Sequence, residues 1–322
     1  AGDGVFFADG CLMGASRTHL GRFSMQKVTI GNRSFVGNSA MMPAGSSLGD
    51  NCLLGVLSLP PEPTAKTPDN TDWLGSPGFQ LPNRLKAGGF AEATTYTPTR
   101  KLYLQRAAVD AMRILIPAYL GTVLGTTVFL TVLALYNAYG VWAVYAAAPF
   151  IGWTALVISV TTVLTLKWAV MGTFKPVVVP LWSAYVWFNE ALNGIYEAVM
   201  APVVASFFGT PFAAPLLRLI GCKVGKHCYI GTSLFSEFDL VDIGDYVALN
   251  GGAIIQNHLF EDRIMKSSHL RIDDGATVGN MAVVLYDTRM GENAVLGPLS
   301  LLMKGEVMPA GSRWHGIPTV QG

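Results

Sequence analysis

An aliphatic residue returns at every sixth position in two stretches of this chain, usually followed by glycine and, two or three places later, by a small residue. The first stretch reads IGNRSF, VGNSAM, MPAGSS, LGDNCL and LGVLSL over residues 30–59. The second reads VGKHCY and IGTSLF (224–235), IGDYVA (243–248), IDDGAT and VGNMAV (272–283), then MGENAV and LGPLSL (290–301). A six-residue period predicts a parallel β-helix with one short strand per hexapeptide. The aliphatic residue points into the coil, and the following Gly or Asn is expected to take the corner, where positive φ is needed. Stacked coils then bury an aliphatic column that no single repeat could bury alone. Glycine-rich β-hairpins are the competing reading; tandem hexads in both flanks favour coils.

Between the flanks the period disappears. From Ile114 to Leu166, 53 residues pass without Asp, Glu, Lys or Arg. One bilayer crossing takes about 20 apolar residues, so this run holds two, turning near Asn137–Gly140. Overall, 51% of residues are hydrophobic and 13% charged, half the charge of ordinary soluble domains. Arg100, Lys101, Arg106 and Arg113 precede the first span, and Lys167 and Lys175 follow the second. The positive-inside rule therefore predicts a multi-pass protein of the cytoplasmic membrane with both flanks in the cytoplasm. In residues 174–218, Trp182, Tyr185, Trp187 and Phe188 form an aromatic group of headgroup type, and Glu190, Asn193 and Glu197 share a helical face. That is the pattern of an interfacial amphipathic helix; the two acids could instead hold a cationic amine.

The two flanks resemble each other in order. Residues 28–61 run parallel to 270–305, each lies downstream of a His-Leu pair (His19-Leu20 and His258-Leu259), and each closes on Trp-x-Gly-x-Pro, at 73–77 and 314–318. The expected fold is mixed: two left-handed parallel β-helix (hexapeptide-repeat) lobes joined by a transmembrane α-helical hairpin and interfacial helices. Residues 1–99 form the first lobe, N-terminally truncated, 100–218 the membrane part, and 219–322 the second lobe. The chain opens in mid-pattern without Met, as a piece of a longer protein would. The net charge of +1 points away from nucleic acid as a partner. Four cysteines in no paired spacing read as reduced thiols, with no metal site.

Candidate chemistry concentrates where the second period breaks, in NHLFEDR (257–263). His258 titrates near working pH and suits a general base. Asp262, or Glu261, would orient its imidazole and stabilise its charged form. Gly251 and Gly252 would let backbone N–H groups approach a bound carbonyl. The bland alternative is a solvated His-Asp pair on an inserted loop. In the first flank THLGRFSM keeps His19 but has Arg22 and Phe23 at the acid positions. That lobe is then structural, or its His19 works with groups from elsewhere. Tyr286–Arg289 reads as a corner insertion, and His227 and His269 as surface residues.

Lobes with this repeat resemble the hexapeptide-repeat acyltransferases. The resemblance implies a loop histidine facing an acceptor, an acyl thioester with its pantetheine arm along the coil, and a Gly-x-Pro near the last coil packing on that arm. Here His315, Gly316 and Pro318 would supply that contact, although Thr319 and Val320 stand where the family usually has Ala-Lys. The alternation of lobe, helix pair and lobe is similar to the C-terminal region of membrane-bound nonribosomal-peptide-synthetase-like enzymes, the ε-poly-L-lysine synthetase type being the best known. This second resemblance covers essentially the whole chain. It implies a condensing module that passes an aminoacyl group from a carrier-bound phosphopantetheine thioester to an amine. Its partners would be the membrane, upstream adenylation and carrier domains, and other β-helix lobes. The His-x-x-x-Asp at His258 and Asp262 matches a condensation motif weakly, with Asn257 and Arg263 departing from it. Two alternatives stay open: a stand-alone acyltransferase using acyl-coenzyme A, and a scaffold whose lobes only dock a carrier domain.

Overall fold

The computed structural model describes residues 1–61, 66–82 and 89–322. In the first flank, short strands lie parallel and in register at a spacing of one coil: Ile30 on Leu48, Val36 on Leu54, Phe6 on Phe35. Ile30, Val36, Met42, Leu48 and Leu54 are all buried, so every hexad sends its first residue inward as the period predicts. Three hexads make a regular coil, because Ile30 and Val36 meet their partners three repeats later, whereas the coil from Phe6 to Phe35 is longer. Each fully buried Leu or Ile contributes about 1.5–3 kcal/mol against exposure, which is why residues with so little regular hydrogen bonding of their own hold together. A hairpin leaves this stack, formed by β1 (Arg17–His19) and β2 (Arg22–Ser24).

The corners differ from the sequence expectation. The glycine after the inward residue does not carry the positive φ; that falls two places later, on Arg33, Ser39, Asn51, His227, Tyr246 and their equivalents. The glycine is there for close approach. A Cβ on Gly244 would sit 2.2 Å from Asp274 Oδ1, because that carboxylate accepts the Asp245 N–H of the preceding coil at 2.8 Å. The same rung recurs from Asp245 to Lys226 N and from Asp50 to Asn32 N. Gly244→Ala should therefore destabilise the protein by about 1–3 kcal/mol through overpacking. Gly251→Ala, whose nearest neighbour would be 3.7 Å away, should leave the thermal midpoint where it is. A thermal-unfolding comparison of the two variants checks this; equal midpoints would contradict the role given to the rung.

Two long helices follow. α1 (Arg100–Tyr139) has 40 residues and is capped by Thr99, whose Oγ1 accepts from Leu102 N; α2 (Val141–Leu166) has 26. They meet at Gly140, where φ is +77°, within the segment expected to turn. Both are long and apolar enough to cross a membrane, and their most apolar windows are almost wholly unburied. At 1.5 Å per residue α1 runs to about 60 Å, twice a bilayer core. Its charged first turns therefore extend beyond the apolar part.

The chain then forms a strand, β3 (Val177–Pro180), and α3 (Ala184–Ile195). α3 packs one face into the protein. Val186, Trp187, Asn189 and Leu192 are buried, and Val186 and Trp187 pack with Val109 of α1 and Met265 of the second stack. The part of the apolar face that carries Val186, Trp187 and Leu192 is covered by protein, whereas Phe188 stays exposed. A final helix, α4 (Ala213–Ile220), leads into the second stack with Leu217 and Ile220 fully buried.

In the second stack, Ile272, Val278, Val284, Met290, Leu296, Leu302 and Met308 are buried at six-residue intervals. Tyr286–Arg289 is no insertion: it is an ordinary corner, with Asp287 at positive φ. Leu270 lies on Thr288, one regular coil on, whereas Val241 lies on Leu270 across a longer loop. The extra residues form a hairpin of β4 (His258–Glu261) and β5 (Ile264–Ser267). β3 pairs antiparallel with the outer edge of β5, making a three-stranded sheet. The stacks touch through Val56 and Leu74 on one side and Leu259, Leu285 and Leu301 on the other.

Candidate functional site

The hairpin leaves the second stack at one corner of a coil, and the coil before it is irregular at a neighbouring point. There Glu237 holds a left-handed backbone (φ +38°) ahead of a tight turn, Phe238–Leu240. A non-Gly residue keeps that conformation only when its surroundings fix it. Glu237 is fully buried, and its Oε2 lies 2.8 Å from His258 Nδ1. Its Oε1 accepts from Asn189 Nδ2 of α3 at 2.7 Å. An ionised carboxylate only accepts, so Nδ1 carries the proton and Nε2 is left as the basic nitrogen. The imidazole edge packs against Phe260 at 5.5 Å, and Phe260 in turn packs on Phe6 of the first stack.

Burial would lower the His258 pKa, but the Glu237 carboxylate outweighs it, so the pKa is raised; Asp9 and Glu190 push the same way. Burial would raise the Glu237 carboxyl, yet the His258 charge and hydrogen bonds from His258, Asn189 and Ser236 hold it below its ordinary value. The pair is thus an ionised acid with an imidazole made more basic. Asp9 also raises the Glu197 carboxyl, after burial as the larger cause. One acid of the first stack therefore acts on both His258 and the region after α3.

The acids expected to orient His258 do not do so. Side chains alternate along a strand, so Glu261 emerges on the face of β4 opposite to His258. It is ion-paired with Lys266 at 2.9 Å and with Lys304, and its carboxyl, which burial would raise, is held low chiefly by Lys304. Asp262 is at the hairpin tip with φ +51°, about 13 Å along the strand from His258. The four-residue offset would bring two side chains together on a helix, but this segment is a strand.

Gly251 and Gly252 form a coil corner stacked on the next one, the Gly251 carbonyl accepting from Met281 N; they sit one strand before His258. His315 and Pro318 are exposed at the end of the last coil. Gly316 N donates to Ser300 Oγ at 2.9 Å and its carbonyl accepts from Leu301 N. Gly75 in the first stack repeats this with Ser58 and Leu59, and the Ile317 carbonyl accepts from Ser76 N. The two Trp-x-Gly-x-Pro segments therefore meet each other as a clasp between the stacks.

His19 is not the counterpart of His258. Gly10 and Gly252 share φ of +68°, and Leu20-Gly21 and Asp262-Arg263 are the positive-φ hairpin tips. Those matches put Ser16 opposite His258 and His19 opposite Glu261. The residues missed in the sequence are Glu237 and Asn189. A signal existed for the first: between Ile230 and Ile243 the period slips by one residue, and SEFD sits in the slip. Nothing in the local pattern marks Asn189, which reaches the site from another element.

A cleft of 380 Å³ opens between α1 and α3, with Phe6, Tyr103, Trp182 and Trp187 in its walls. Its charges are paired: Arg106 bridges Asp110 and Glu190, and Arg113 lies 3.5 Å from Glu190. Among the described residues, no group of three or more His, Cys, Asp or Glu is arranged to hold a metal.

No protein-family model matches this chain. The Delta-poly-L-ornithine synthetase of Acinetobacter baumannii (strain AB307-0294) is 37% identical over 326 residues, covering 99% of this chain and 24% of that protein. The chain thus spans about a quarter of the length of the curated relative it matches. Among solved structures, the hexapeptide-repeat acetyltransferase VCA0836 of Vibrio cholerae shares 13% identity over 42% of this chain and 90% of that one, with a TM-score of 0.32. A serine O-acetyltransferase of Brucella melitensis shares 13% over 69% and 72%, with a TM-score of 0.29. Scores this low leave the fold resting on the strand registers above. Over nearly its whole length, then, this chain is similar to one quarter of a poly-amino-acid synthetase.

Proposed function

We propose that this chain is the membrane-anchored condensing part of a larger synthetase and joins an aminoacyl group, delivered as a carrier-bound thioester, to an amine. The observation that supports this best is the buried Glu237–His258 pair, held by Asn189 and leaving Nε2 as an acceptor. Thioester aminolysis needs a neutral amine, a base for its proton and stabilisation of the charged base. The amine nitrogen attacks the thioester carbonyl carbon as His258 Nε2 takes its proton, Glu237 stabilising the imidazolium. The C–S bond then breaks, and the proton passes from Nε2 to the leaving sulfur, so an amide and a free thiol result. The carrier's phosphopantetheine arm enters as part of the substrate.

Asp9 and Glu197 suit an acceptor that arrives as an ammonium ion, drawn in by their field and deprotonated at His258. The proposed organisation has residues 1–99 and 219–322 as cytoplasmic lobes on a transmembrane hairpin within 100–218, with carrier and adenylation domains elsewhere in the full protein. The basic residues in the N-terminal part of α1 and after α2 support that orientation.

The test is single-turnover transfer by the full-length enzyme in detergent or nanodiscs. Carrier-bound labelled aminoacyl thioester should give amide when amine is added, and acyl-coenzyme A should give none. Transfer from acyl-coenzyme A at a comparable rate would replace this reading with a stand-alone acyltransferase.

A further inference from the structure

Lys167 is a completely buried cation, and the mechanism above makes no use of it. It follows the last residue of α2, where the charge-free run ends. Its Nζ lies 2.8 Å from Asp239 Oδ2, an ion pair that is not aligned as a hydrogen bond, and 3.2 Å from the centre of the Trp168 ring. Asp239 Oδ2 also accepts from Phe174 N at 3.0 Å. Gly221 makes room for the pair, since a Cβ there would be 2.6 Å from Asp239 Oδ1 and 3.1 Å from Lys167 Nζ.

Asp239 is two residues from Glu237, in the same turn. Between them Phe238 is fully buried against Tyr196 at 4.7 Å and Phe174 at 6.3 Å. Tyr196 Oη donates to Ser233 O just upstream. The turn is therefore gripped on both sides by segments that follow α2. A buried ion pair is a poor source of net stability, because apolar residues of similar volume often serve as well. What it fixes is position, and Glu237 needs fixing because its left-handed backbone is otherwise unfavourable.

We infer that Asp239 is a positioning residue: paired with Lys167, it ties the turn 237–240 to the end of α2 and so sets Glu237 against His258. The seating of the apolar helices is thereby linked to the base. This rests on the reading of His258 as the base.

Lys167→Met with Asp239→Asn removes both charges while keeping volume and an acceptor for Phe174 N. The full-length double variant should fold. Its turnover should fall about tenfold through misplacement of the acid, with KM for donor and acceptor unchanged. The acidic limb of its pH–rate profile should move to lower pH, as the pull of Glu237 on His258 weakens while Asp9 and Glu190 remain. A folded double variant with wild-type turnover and limb overturns the inference. Should it not fold, Phe174→Leu, which removes a ring that packs on Phe238 and faces Lys167 Nζ at 5.7 Å, must move the limb the same way, and an unmoved limb overturns the inference. His258→Asn run alongside separates the two ideas. If that variant is fully active, the base assignment fails and this inference with it. If it is inactive while the double variant behaves as wild type, only the tie to α2 is wrong.

Discussion

Full-length enzyme carrying His258→Asn should transfer its aminoacyl group about 10²–10⁴-fold more slowly than wild type, the span expected for loss of a general base. Asn is preferable to Ala for this measurement. Ala leaves the Glu237 carboxylate buried without its partner, at a cost of about 3–5 kcal/mol, so a folding defect would pass for a catalytic one. Asn can still donate an amide N–H to Glu237 near the place of Nδ1, but it has nothing to accept the amine's proton. Upstream formation of the aminoacyl thioester should continue at its normal rate. Unchanged amide formation by a folded variant would mean that this stack docks and orients its partners without doing chemistry.

Glu237→Gln should act through charge and tautomer together. A neutral amide donates its own N–H to Nδ1, so the imidazole proton moves to Nε2 and the basic nitrogen is spent. A loss of up to about 10⁴ in turnover follows, the scale seen when an orienting acid becomes its amide. The residual activity should carry an acidic limb at lower pH, because the carboxylate that raises the His258 pKa has gone. Stability should change in a defined window. His258, raised in the fold, contributes fully below its ordinary value of 6.5 and less as pH climbs through the folded value. Glu237, lowered in the fold, contributes fully above its ordinary value of 4.5 and less as pH falls. The wild type should therefore exceed the variant most between those two values. Thermal midpoints across that range measure it, and a stability difference independent of pH would show that the pair is not ionised as described.

Hexads starting at Ile30, Val36, Met42, Leu48 and Leu54 were readable because a β-helix repeats one physical demand, an inward aliphatic side chain, at every sixth place. The apolar helices were readable because a long run without charge has few other uses. The glycine role was not, since close approach between coils is a contact between residues distant in the chain. For the same reason His258 could be picked out, at a visible break in the period, but its acid could not. Glu237 lies 21 residues upstream, and choosing it over Glu261 and Asp262 requires knowing that 258–261 is a strand. The pairing of His19 with His258 failed on register: two identical dipeptides sat at different rungs of equivalent hairpins.

The outer edge of the hairpin carries a practical consequence. Strand β5 is covered by β3, which belongs to the segment just after the long helices, and Asn189 comes from the same segment. A soluble excision beginning at Gly221 would keep His258 and Glu237 but strip away both covers. It would bare four residues of unpaired backbone edge, a template for aggregation, and leave one carboxylate oxygen without its donor. The smallest piece that can be purified for study of this pair therefore begins before Val177.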